Sequence, residues 1–338
     1  LSKSWRYHST HRSNTGYHPQ YAMKILVIRL SSLGDIVLTQ SLCARLRALY
    51  PTAEIDFISK PQYLELVSLM GCGLNAIAYD KSPGLHWALR KKRYDLVIDL
   101  HAKFSSFLIR ISAAGKQSAV YRKQRRIRRR IVAGDKSLAI NSTVELYQSA
   151  LSSLGISDSL DAPSLMVPDP QLPFDPPPAA KIIMLFPGAA HYTKRYPIAS
   201  FKELLTHSPG DYYYLIAGSR SEHLLCEELH RVCMEKSINL AGKLSFGQIL
   251  KAMQLSSWVI SSDSGPMHLA ASIARPQIAI FGATHPRLGF APMNPNARVL
   301  CLNLDCQPCS LHGSDICPQG HFKCMLDIAP ETILSILR

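Results

Sequence analysis

The chain has 338 residues, enough for two globular domains at about 150 residues each. Hydrophobic residues make up 47% and charged residues 18%, which excludes a disordered chain and a small disulfide-held scaffold. The net charge of +14 is concentrated in residues 90–130, where 14 basic and two acidic residues give a net +12. That patch favours an anionic partner, and nucleic acid, an anionic membrane surface and a phosphorylated glycolipid all fit the charge.

The first half of the chain alternates strands and helices. Residues 1–22 are polar and stand directly before Met23, and we expect them to form a disordered N-terminal extension. Short runs rich in Ile, Leu and Val predict strands at 24–30, 54–59, 76–79 and 95–100, and apolar residues at helical spacing predict helices at 36–50 and 63–69. Nearly continuously apolar strands are typical of a parallel sheet covered on both faces. The sequence therefore predicts a Rossmann-like domain over residues 23–167.

A proline-rich segment separates this half from a second one. Seven prolines between Pro163 and Pro178 predict a linker over 168–180. Strands are then predicted at 181–186, 212–217, 258–261 and 277–281, and helices at 198–207, 221–234, 246–255 and 266–274. We expect a second Rossmann-like domain over 181–338, with its last helix packing back on the first domain. The prediction is an α/β protein with a central interdomain cleft, where ligands bind beyond the carboxyl ends of the strands.

Three strand-to-helix junctions carry chemical groups. The first is Ser31-Ser32-Leu33-Gly34-Asp35. Gly34 allows a substrate to approach closely, and the helix that follows offers unpaired N–H groups. Asp35 is a candidate general base for a hydroxyl nucleophile. The alternative is that Asp35 only caps the helix.

The second junction is the segment 186–197, which contains Thr193-Lys194-Arg195 after a glycine-bearing loop. A hydroxyl and two cations at this place predict a pyrophosphate site, and a lysine can stabilise a departing phosphate. The segment lacks the GxxxxGK[ST] pattern of a Walker loop. The alternative is a solvated basic turn.

The third junction is the segment 261–268, in which Ser264, Gly265 and the N–H groups that follow them predict an anion site at a helix N-terminus. Asp263 and His268 are candidates for binding sugar or ribose hydroxyls. The alternative for His268 is a structural histidine on an apolar helix.

Together the three motifs resemble the lipopolysaccharide heptosyltransferase family, glycosyltransferase family 9, and the likeness runs from Met23 to the carboxyl terminus. The resemblance implies a GT-B fold, with the acceptor on the amino-terminal domain and a nucleotide sugar on the carboxyl-terminal one. It implies ADP-L-glycero-β-D-manno-heptose as donor, the inner core of lipopolysaccharide as acceptor, and inverting transfer without a cofactor or a catalytic metal. It also implies a cytoplasmic protein peripherally bound to the cytoplasmic face of the inner membrane.

The resemblance also implies roles for individual residues. Asp35 matches the catalytic base, and Lys194 stabilises the leaving diphosphate. The remaining matches lie at the donor: Thr193, Glu222, Asp263, Ser264, Gly265, His268 and Thr284. At the acceptor side, we expect the basic patch to meet carboxylates, phosphates or anionic headgroups through Arg122, Lys123, Arg125, Arg126, Arg128, Arg129 and Arg130. The alternative for the patch is a merely solvated basic face.

The nine cysteines predict a reducing compartment, because five are scattered and the pattern is unlike that of a secreted framework. No apolar run reaches the roughly 18 residues of a membrane span.

The four cysteines that are not scattered, Cys306, Cys309, Cys317 and Cys324, fall within 19 residues. A structural zinc site is one interpretation. Reduced packing thiols or a disulfide pair are the other two.

Alternative functions remain open at this point. A family 9 transferase could use another nucleotide sugar, such as an N-acetylglucosamine donor. A nucleic-acid-binding protein could use the arginine run, but the neighbouring aromatic residues show no stacking pattern, so we expect no nucleic-acid partner. An inactive, lipid-binding family member is disfavoured because the Asp and Lys of the motifs are present.

Overall fold

The computed structural model describes residues 22–157, 159–175, 177 and 180–338. The predicted disordered extension, 1–22, lies outside these ranges except for its last residue. The first half forms five strands and six helices among the described residues. They are β1 (Lys24–Ile28), α1 (Leu33–Leu49), β2 (Glu54–Ser59), α2 (Leu64–Ser68), β3 (Leu74–Ala78), α3 (Pro83–Lys92), β4 (Leu96–Asp99), α4 (Phe104–Ala113), β5 (Gln117–Val120), α5 (Arg125–Val132) and α6 (Thr143–Ser152).

The second half repeats this alternation. Its elements are β6 (Lys181–Phe186), α7 (Ile198–Thr206), β7 (Tyr212–Ile216), α8 (His223–His230), β8 (Ser237–Asn239), α9 (Phe246–Leu255), β9 (Trp258–Ser262), α10 (Gly265–Ser272), β10 (Gln277–Ile280), β11 (Ala297–Leu300), α11 (Lys323–Leu326) and α12 (Pro330–Leu337). Short 3₁₀ turns link several of these elements.

Each half builds one parallel sheet. The strand orders are β3-β2-β1-β4-β5 and β11-β10-β9-β6-β7-β8. In the first sheet Ile25 pairs with Ile55 on one side and Leu96 on the other, so β1 is central and its apolar side chains are buried. In the second sheet Leu185 of β6 pairs with Ile216 and Ile260. Apolar runs on both faces explain why these strands lack the alternation of a half-exposed sheet.

The two halves are in direct contact. The carboxylate of Glu65, in α2, accepts hydrogen bonds from the backbone N–H groups of Phe246 (3.0 Å) and Gly247 (2.8 Å) at the start of α9. An anion is favourable there because the first N–H groups of a helix have no partner within the helix. Ile140 also pairs with Leu288 in an isolated parallel bridge. These contacts hold the carboxyl ends of the two sheets towards each other.

The predicted α/β class with two facing Rossmann-like sheets is confirmed, and the central strands lie where the apolar runs predict them. Several elements have no counterpart in the sequence prediction: α3, α4, β5, α5, α6, β8, β11 and α11. Between α6 and β6 the described residues form no helix or strand. The domain boundaries and the linker over 168–180 stay predictions.

The last helix differs from the expectation that it packs back on the first domain. Ile333 and Leu334 of α12 are buried in the same cluster as Leu204 and Leu205 of α7, within the second half. The hydroxyl of Tyr212 donates to the carbonyl of Leu337 over 2.9 Å. The apolar face of α12 is thus covered by its own domain. Among the described helices, none combines the length and apolar character that crossing a bilayer requires.

Candidate active site

A cleft of about 1250 Å³ separates the two sheets. Its wall includes the segments that follow β1, β4, β5, β6, β7, β8 and β9, so it lies beyond the carboxyl ends of strands from both halves. The three motif loops all reach it. The basic side chains on the wall outnumber the acidic ones, which are Asp35, Glu222 and Asp263. The cleft is therefore suited to an anionic ligand.

Asp35 lies in the first turn of α1, on the first-half side of the cleft. Its Oδ2 accepts from the backbone N–H (3.2 Å) and hydroxyl (2.8 Å) of Ser32 and forms a 2.5 Å ion pair with Nη2 of Arg29. Burial opposes ionisation, but the Arg29 guanidinium and the Ser32 donors outweigh it and hold the pKa of Asp35 below its ordinary value of 3.8. Oδ1 has no hydrogen-bond partner among the residues of the described ranges. The carboxylate is ionised, fixed by one oxygen and open at the other.

The first and third motifs meet across the cleft. A Cβ on Gly34 would lie 2.5 Å from Cδ2 of His268, and a Cβ on Gly265 would lie 2.4 Å from Cδ2 of Leu33. Real Cβ atoms do not approach side chains so closely, so both glycines are required for this packing. His268 therefore packs beside Gly34, the residue that precedes Asp35. Spacing predicts each motif separately, and the structure joins them into one site.

Lys194 and Asp263 form an ion pair on the second-half side. Lys194 Nζ lies 2.8 Å from Asp263 Oδ2, and Oγ1 of Thr284 donates to the same oxygen over 2.7 Å. Lys194 and Asp263 line the cleft, whereas Thr284 is 1% exposed behind it. The arrangement holds an ammonium group at the cleft wall, where a diphosphate could be bound.

Thr193 and Thr284 do not line the cleft, although the resemblance places both at the nucleotide sugar. The Thr193 side chain is 1% exposed, and its hydroxyl donates to the carbonyl (2.9 Å) and accepts from the N–H (2.8 Å) of Ser314. Both hydroxyls already have partners in the protein. The structure therefore makes them supports of the Lys194 loop and of Asp263, because a buried, satisfied hydroxyl has no donor left for a ligand.

Glu222 reaches the cleft from the turn after β7. Its Oε2 accepts from the N–H (2.6 Å) and hydroxyl (2.8 Å) of Ser219. A Cβ on Gly188 would lie 1.8 Å from Oε1 of Glu222, so the carboxylate rests against the bare backbone of the loop after β6. The role of Glu222 as an acid near a ribose stays a prediction. The contact shows why the loop carries a glycine.

Substituting Gly188 should displace Glu222. We expect Gly188→Ala to weaken nucleotide binding by about tenfold, because the new methyl group occupies the place of the carboxylate and one charge-assisted hydrogen bond to a hydroxyl is lost. Isothermal titration with ADP measures the effect. Gly210→Ala is the matched control, because the nearest atom to its Cβ is 3.9 Å away. Equal affinities for the two variants would contradict the role of Glu222.

Ser264 and His268 lie at the start of α10. Ser264 is the residue before the helix and lines the cleft with Gly265 and His268. Burial lowers the pKa of His268, so its imidazole is neutral at pH 7. Its Nδ1 is buried without a hydrogen-bond partner among the residues described here. The hydrogen-bonding capacity of this nitrogen is therefore unmet within the described ranges, and the role of His268 at the donor stays a prediction.

The basic patch divides between the cleft and the outer surface. Lys123, Arg125, Arg128 and Arg129 line the cleft together with Lys103, which the motifs do not indicate. The remaining predicted residues are exposed and lie outside the cleft wall: Arg122, Arg126 and Arg130. Burial and the cations Arg29, Arg125 and Lys103 lower the pKa of Lys123 to about 8. A group of cations close enough together to lower the pKa of Lys123 favours the binding of an anion at this wall.

The cysteine-rich segment supports the cleft but forms no metal centre in the described part of the chain. All four cysteines are free, and no group of three or more His, Cys, Asp or Glu side chains is placed to hold a metal. Burial raises the pKa of Cys324 to about 12, so its thiol stays protonated. The zinc and packing-thiol interpretations stay predictions, and no disulfide pair forms among these four cysteines. The segment also places Leu311 and His312 on the cleft wall.

Comparison with known proteins assigns the family. The model of glycosyltransferase family 9 (heptosyltransferase) matches residues 84–316. This chain belongs to glycosyltransferase family 9. The family model matches a shorter range than the three motifs, whose resemblance to the family begins at Met23.

Several family 9 relatives are similar to this chain. The chain is 27% identical to lipopolysaccharide heptosyltransferase 2 of Salmonella typhimurium over 349 residues, covering 93% of this chain and 97% of the relative. Lipooligosaccharide heptosyltransferase 2 of Campylobacter jejuni is 33% identical over 159 residues, about half of each chain: 46% of this one and 49% of the relative. The solved structure of Escherichia coli ADP-heptose lps heptosyltransferase II has a TM-score of 0.72 at 25% identity, covering 93% and 97%. The GT-B fold follows from this likeness.

Three residues of this family 9 site carry no sequence signal strong enough to predict them. Arg29 is buried at the end of β1, where its Nη1 also donates to the carbonyl of Leu100. Tyr121 lines the cleft, and its hydroxyl lies 3.4 Å from the same nitrogen. His101 is buried beside them, and burial together with Arg29, Lys103 and Lys123 lowers its pKa to about 3. The one clue in the sequence is that Arg29, a charged residue, directly follows an apolar strand.

Proposed function

We propose that this chain is an inverting heptosyltransferase that transfers heptose from ADP-L-glycero-β-D-manno-heptose to the inner core of lipopolysaccharide, with Asp35 as the general base. One observation carries the proposal. An ionised carboxylate with a free oxygen, Asp35, faces the Asp263–His268 loop and the Lys194 ammonium across a single cleft. A base on one side and an anion site on the other are what sugar transfer from a nucleotide requires.

The second half supports a nucleotide sugar. Lys194 and the N-terminus of α10 offer positive charge for a diphosphate. Glu222 lines the cleft next to the backbone of Gly188, where its carboxylate would accept a hydrogen bond from a ribose hydroxyl. The solved Escherichia coli relative is named as an ADP-heptose lps heptosyltransferase. Its name supports ADP-heptose over other donors.

The first half supports an anionic acceptor. Lys103, Lys123, Arg125 and Arg129 line the cleft near Asp35. Carboxylates and phosphates of a lipopolysaccharide core would be paired by these cations. The relatives' names refer to lipopolysaccharide or lipooligosaccharide, which is consistent with such an acceptor. We also propose that the protein acts on the cytoplasmic side of the inner membrane, bound peripherally.

The proposed reaction is a single displacement. The acceptor hydroxyl donates to Oδ1 of Asp35, and its oxygen attacks the anomeric carbon from the face opposite ADP. The new C–O bond forms while the bond to the β-phosphate breaks; the proton passes to Asp35 and the electron pair leaves on ADP. Lys194 and the α10 N–H groups stabilise that charge, so the proposal requires no cofactor. Water is kept out when the cleft is filled.

A donor screen tests this proposal. Purified protein is incubated with ADP-heptose, UDP-N-acetylglucosamine or GDP-mannose and a deacylated core acceptor, and products are identified by mass spectrometry. We expect acceptor-dependent ADP release and a heptosylated product with ADP-heptose. A product formed from UDP-N-acetylglucosamine and not from ADP-heptose would show that the transferred sugar is N-acetylglucosamine, and the heptose assignment would fail. Absence of product with every donor would overturn it.

Lys123 makes acceptor binding dependent on pH. With a pKa of about 8, Lys123 is charged below that value, so affinity for an anionic acceptor should fall as pH rises through 8. We expect the acceptor KM to rise about threefold to tenfold between about pH 7 and pH 9.5, while Lys123→Arg stays flat because guanidinium remains charged. Initial rates with deacylated acceptor measure this. The same rise in the Arg variant would contradict the assignment.

A further inference from the structure

A row of large apolar side chains is exposed on the outer face of α4. Phe104, Phe107, Leu108 and Ile111, here called the α4 stripe, follow the spacing of one helix face. We propose that the α4 stripe docks the protein on an anionic lipid bilayer surface. The proposal rests on the peripheral membrane association in the proposed function and names the surface that contacts the membrane.

The α4 stripe faces away from the protein interior. Phe104 is 75% exposed and Ile111 is 54% exposed, and the other two members are 42% exposed each. The opposite face of α4 is buried through Ser106, Ile109 and Ala113. Core packing therefore does not explain the stripe. An exposed apolar patch of this kind marks an interaction site.

Helix α3 packs beside α4 and exposes a further aromatic side chain. Nδ1 of His86 lies 2.7 Å from the hydroxyl of Ser112, which joins α3 to α4. Trp87, the residue next to His86, is 62% exposed. Tryptophan and phenylalanine beside basic residues are typical of helices that lie in a membrane interface.

Cations surround the patch and outnumber the acidic residues near it. Residues 81–116 contain eight Lys and Arg and two Asp. Asp95 is paired with Lys116 over 2.7 Å, and Asp99 is 2% exposed. Lys91 lies 3.2 Å from the centre of the Trp87 ring, and Arg110 lies 5.4 Å from that of Phe107. Apolar side chains with cations at their edges complement anionic headgroups above acyl chains.

The α4 stripe also begins at the edge of the cleft. Lys103, the residue before α4, lines the cleft, and Phe104 is the first residue of the helix. A bilayer in contact with the stripe would therefore lie beside the acceptor side of the cleft. This placement suits an acceptor that is anchored in the membrane, and this step alone depends on the proposed sugar transfer.

The arginine run on α5 is less suited than the α4 stripe to docking on a bilayer. Arg125, Arg128 and Arg129 line the cleft, and Arg130 is paired with Asp135 over 2.7 Å. The buried residues of α5 are Arg128 and Ile131. Thus α5 presents charge without an exposed apolar row, whereas α4 presents both.

Vesicle cosedimentation of the full chain tests the proposal. Vesicles contain phosphatidylethanolamine with phosphatidylglycerol, or phosphatidylcholine alone. We expect binding to the anionic vesicles, and a loss of about tenfold or more in the variant Phe104→Ser/Ile111→Ser. The matched control is Leu224→Ser/Ile316→Ser, which removes two side chains that are 81% and 78% exposed in the second half. We expect the control to bind as the natural protein does.

Tryptophan fluorescence reports contact between the α4 stripe and a membrane without requiring a variant that loses vesicle binding. In Phe104→Trp, we expect the added fluorescence to shift to the blue with anionic vesicles and to be quenched by brominated lipid. An unshifted, unquenched signal would overturn the proposal, as would equal vesicle binding by the α4 variant and the natural protein. If the α4 variant converts a dimer into a monomer by light scattering without changing vesicle binding, a second copy covers the stripe and the proposal fails.

Activity on the water-soluble deacylated acceptor separates this proposal from the proposed function. We expect the α4 variant to release ADP at the rate of the natural protein, because the stripe lies outside the cleft. If the natural protein transfers no sugar to any acceptor yet binds anionic vesicles through α4, the proposed function fails and the docking surface stands. If transfer occurs and vesicle binding is absent, the docking surface fails alone.

Discussion

Replacing Asp35 with Asn is expected to lower kcat by about 10²-fold to 10⁴-fold, the usual contribution of a positioned general base. Asn keeps the shape and can still accept from Ser32, but it cannot take the proton of the acceptor hydroxyl. The KM for the donor should change little, because Asp35 lies on the opposite side of the cleft from Glu222 and Lys194. Steady-state ADP release and single-turnover mass spectrometry measure the two quantities.

Stability has to be measured alongside the rate. The Asn variant leaves the buried Arg29 guanidinium without its carboxylate partner, which costs about 1–3 kcal/mol of unfolding free energy. Because the folded pKa of Asp35 is depressed, its contribution to stability is present above the ordinary value of 3.8 and is lost as pH falls through the lower folded pKa. The natural protein should thus lose stability at acidic pH, and the variant should lose less.

Asp80 provides the matched control for Asp35. Its carboxylate also accepts from a serine N–H (2.8 Å) and hydroxyl (3.0 Å), those of Ser82, but it is exposed and lies outside the cleft wall. We expect Asp80→Asn to keep kcat within about twofold. A loss in this control as large as that of Asp35→Asn, or a full rate in the Asp35 variant, would remove Asp35 from the role of base.

The sequence predicts the parts of the site that lie directly after strands. Asp35, Lys194 and His268 are predictable because apolar runs locate the strand ends and parallel sheets bring those ends to one edge. Arg29 and His101 are not, since their importance comes from what surrounds them in space. Thr193 and Thr284 are predicted at the donor, but their hydroxyls are satisfied inside the protein, which residue type cannot reveal.

The missed helices have a similar physical explanation. Phe104, Phe107, Leu108 and Ile111 follow a helical spacing that ordinarily predicts a core-facing stripe, so a sequence alone would bury them. In the structure Ser106, Ile109 and Ala113 face the core instead. Five of the eight residues of helix α5 are arginine. The burial of Arg128 depends on hydrogen bonds to Thr143 and Leu288, which come from other parts of the chain.

Replacing Lys194 with Met is expected to lower kcat by about 10²-fold to 10³-fold, because the diphosphate then leaves without its cation. The variant also leaves Asp263, which is 5% exposed, without an ionic partner. We expect a loss of about 1–3 kcal/mol in unfolding free energy. Surface lysine Lys202, paired with Glu228 over 2.6 Å, is the control, and Lys202→Met should cost less than about 1 kcal/mol and leave the rate unchanged.

A second substitution separates the two roles of Lys194. In Lys194→Met/Asp263→Asn the unpaired buried charge is gone, so stability should recover much of its loss while kcat stays low. Thermal unfolding and ADP release, measured on the same samples, report the two effects independently. If the rate recovers together with stability, Lys194 acts only by holding Asp263 and its loop in place. If the rate stays low in a protein of restored stability while Asp263→Asn alone keeps a higher rate, the ammonium group itself is what the departing diphosphate needs.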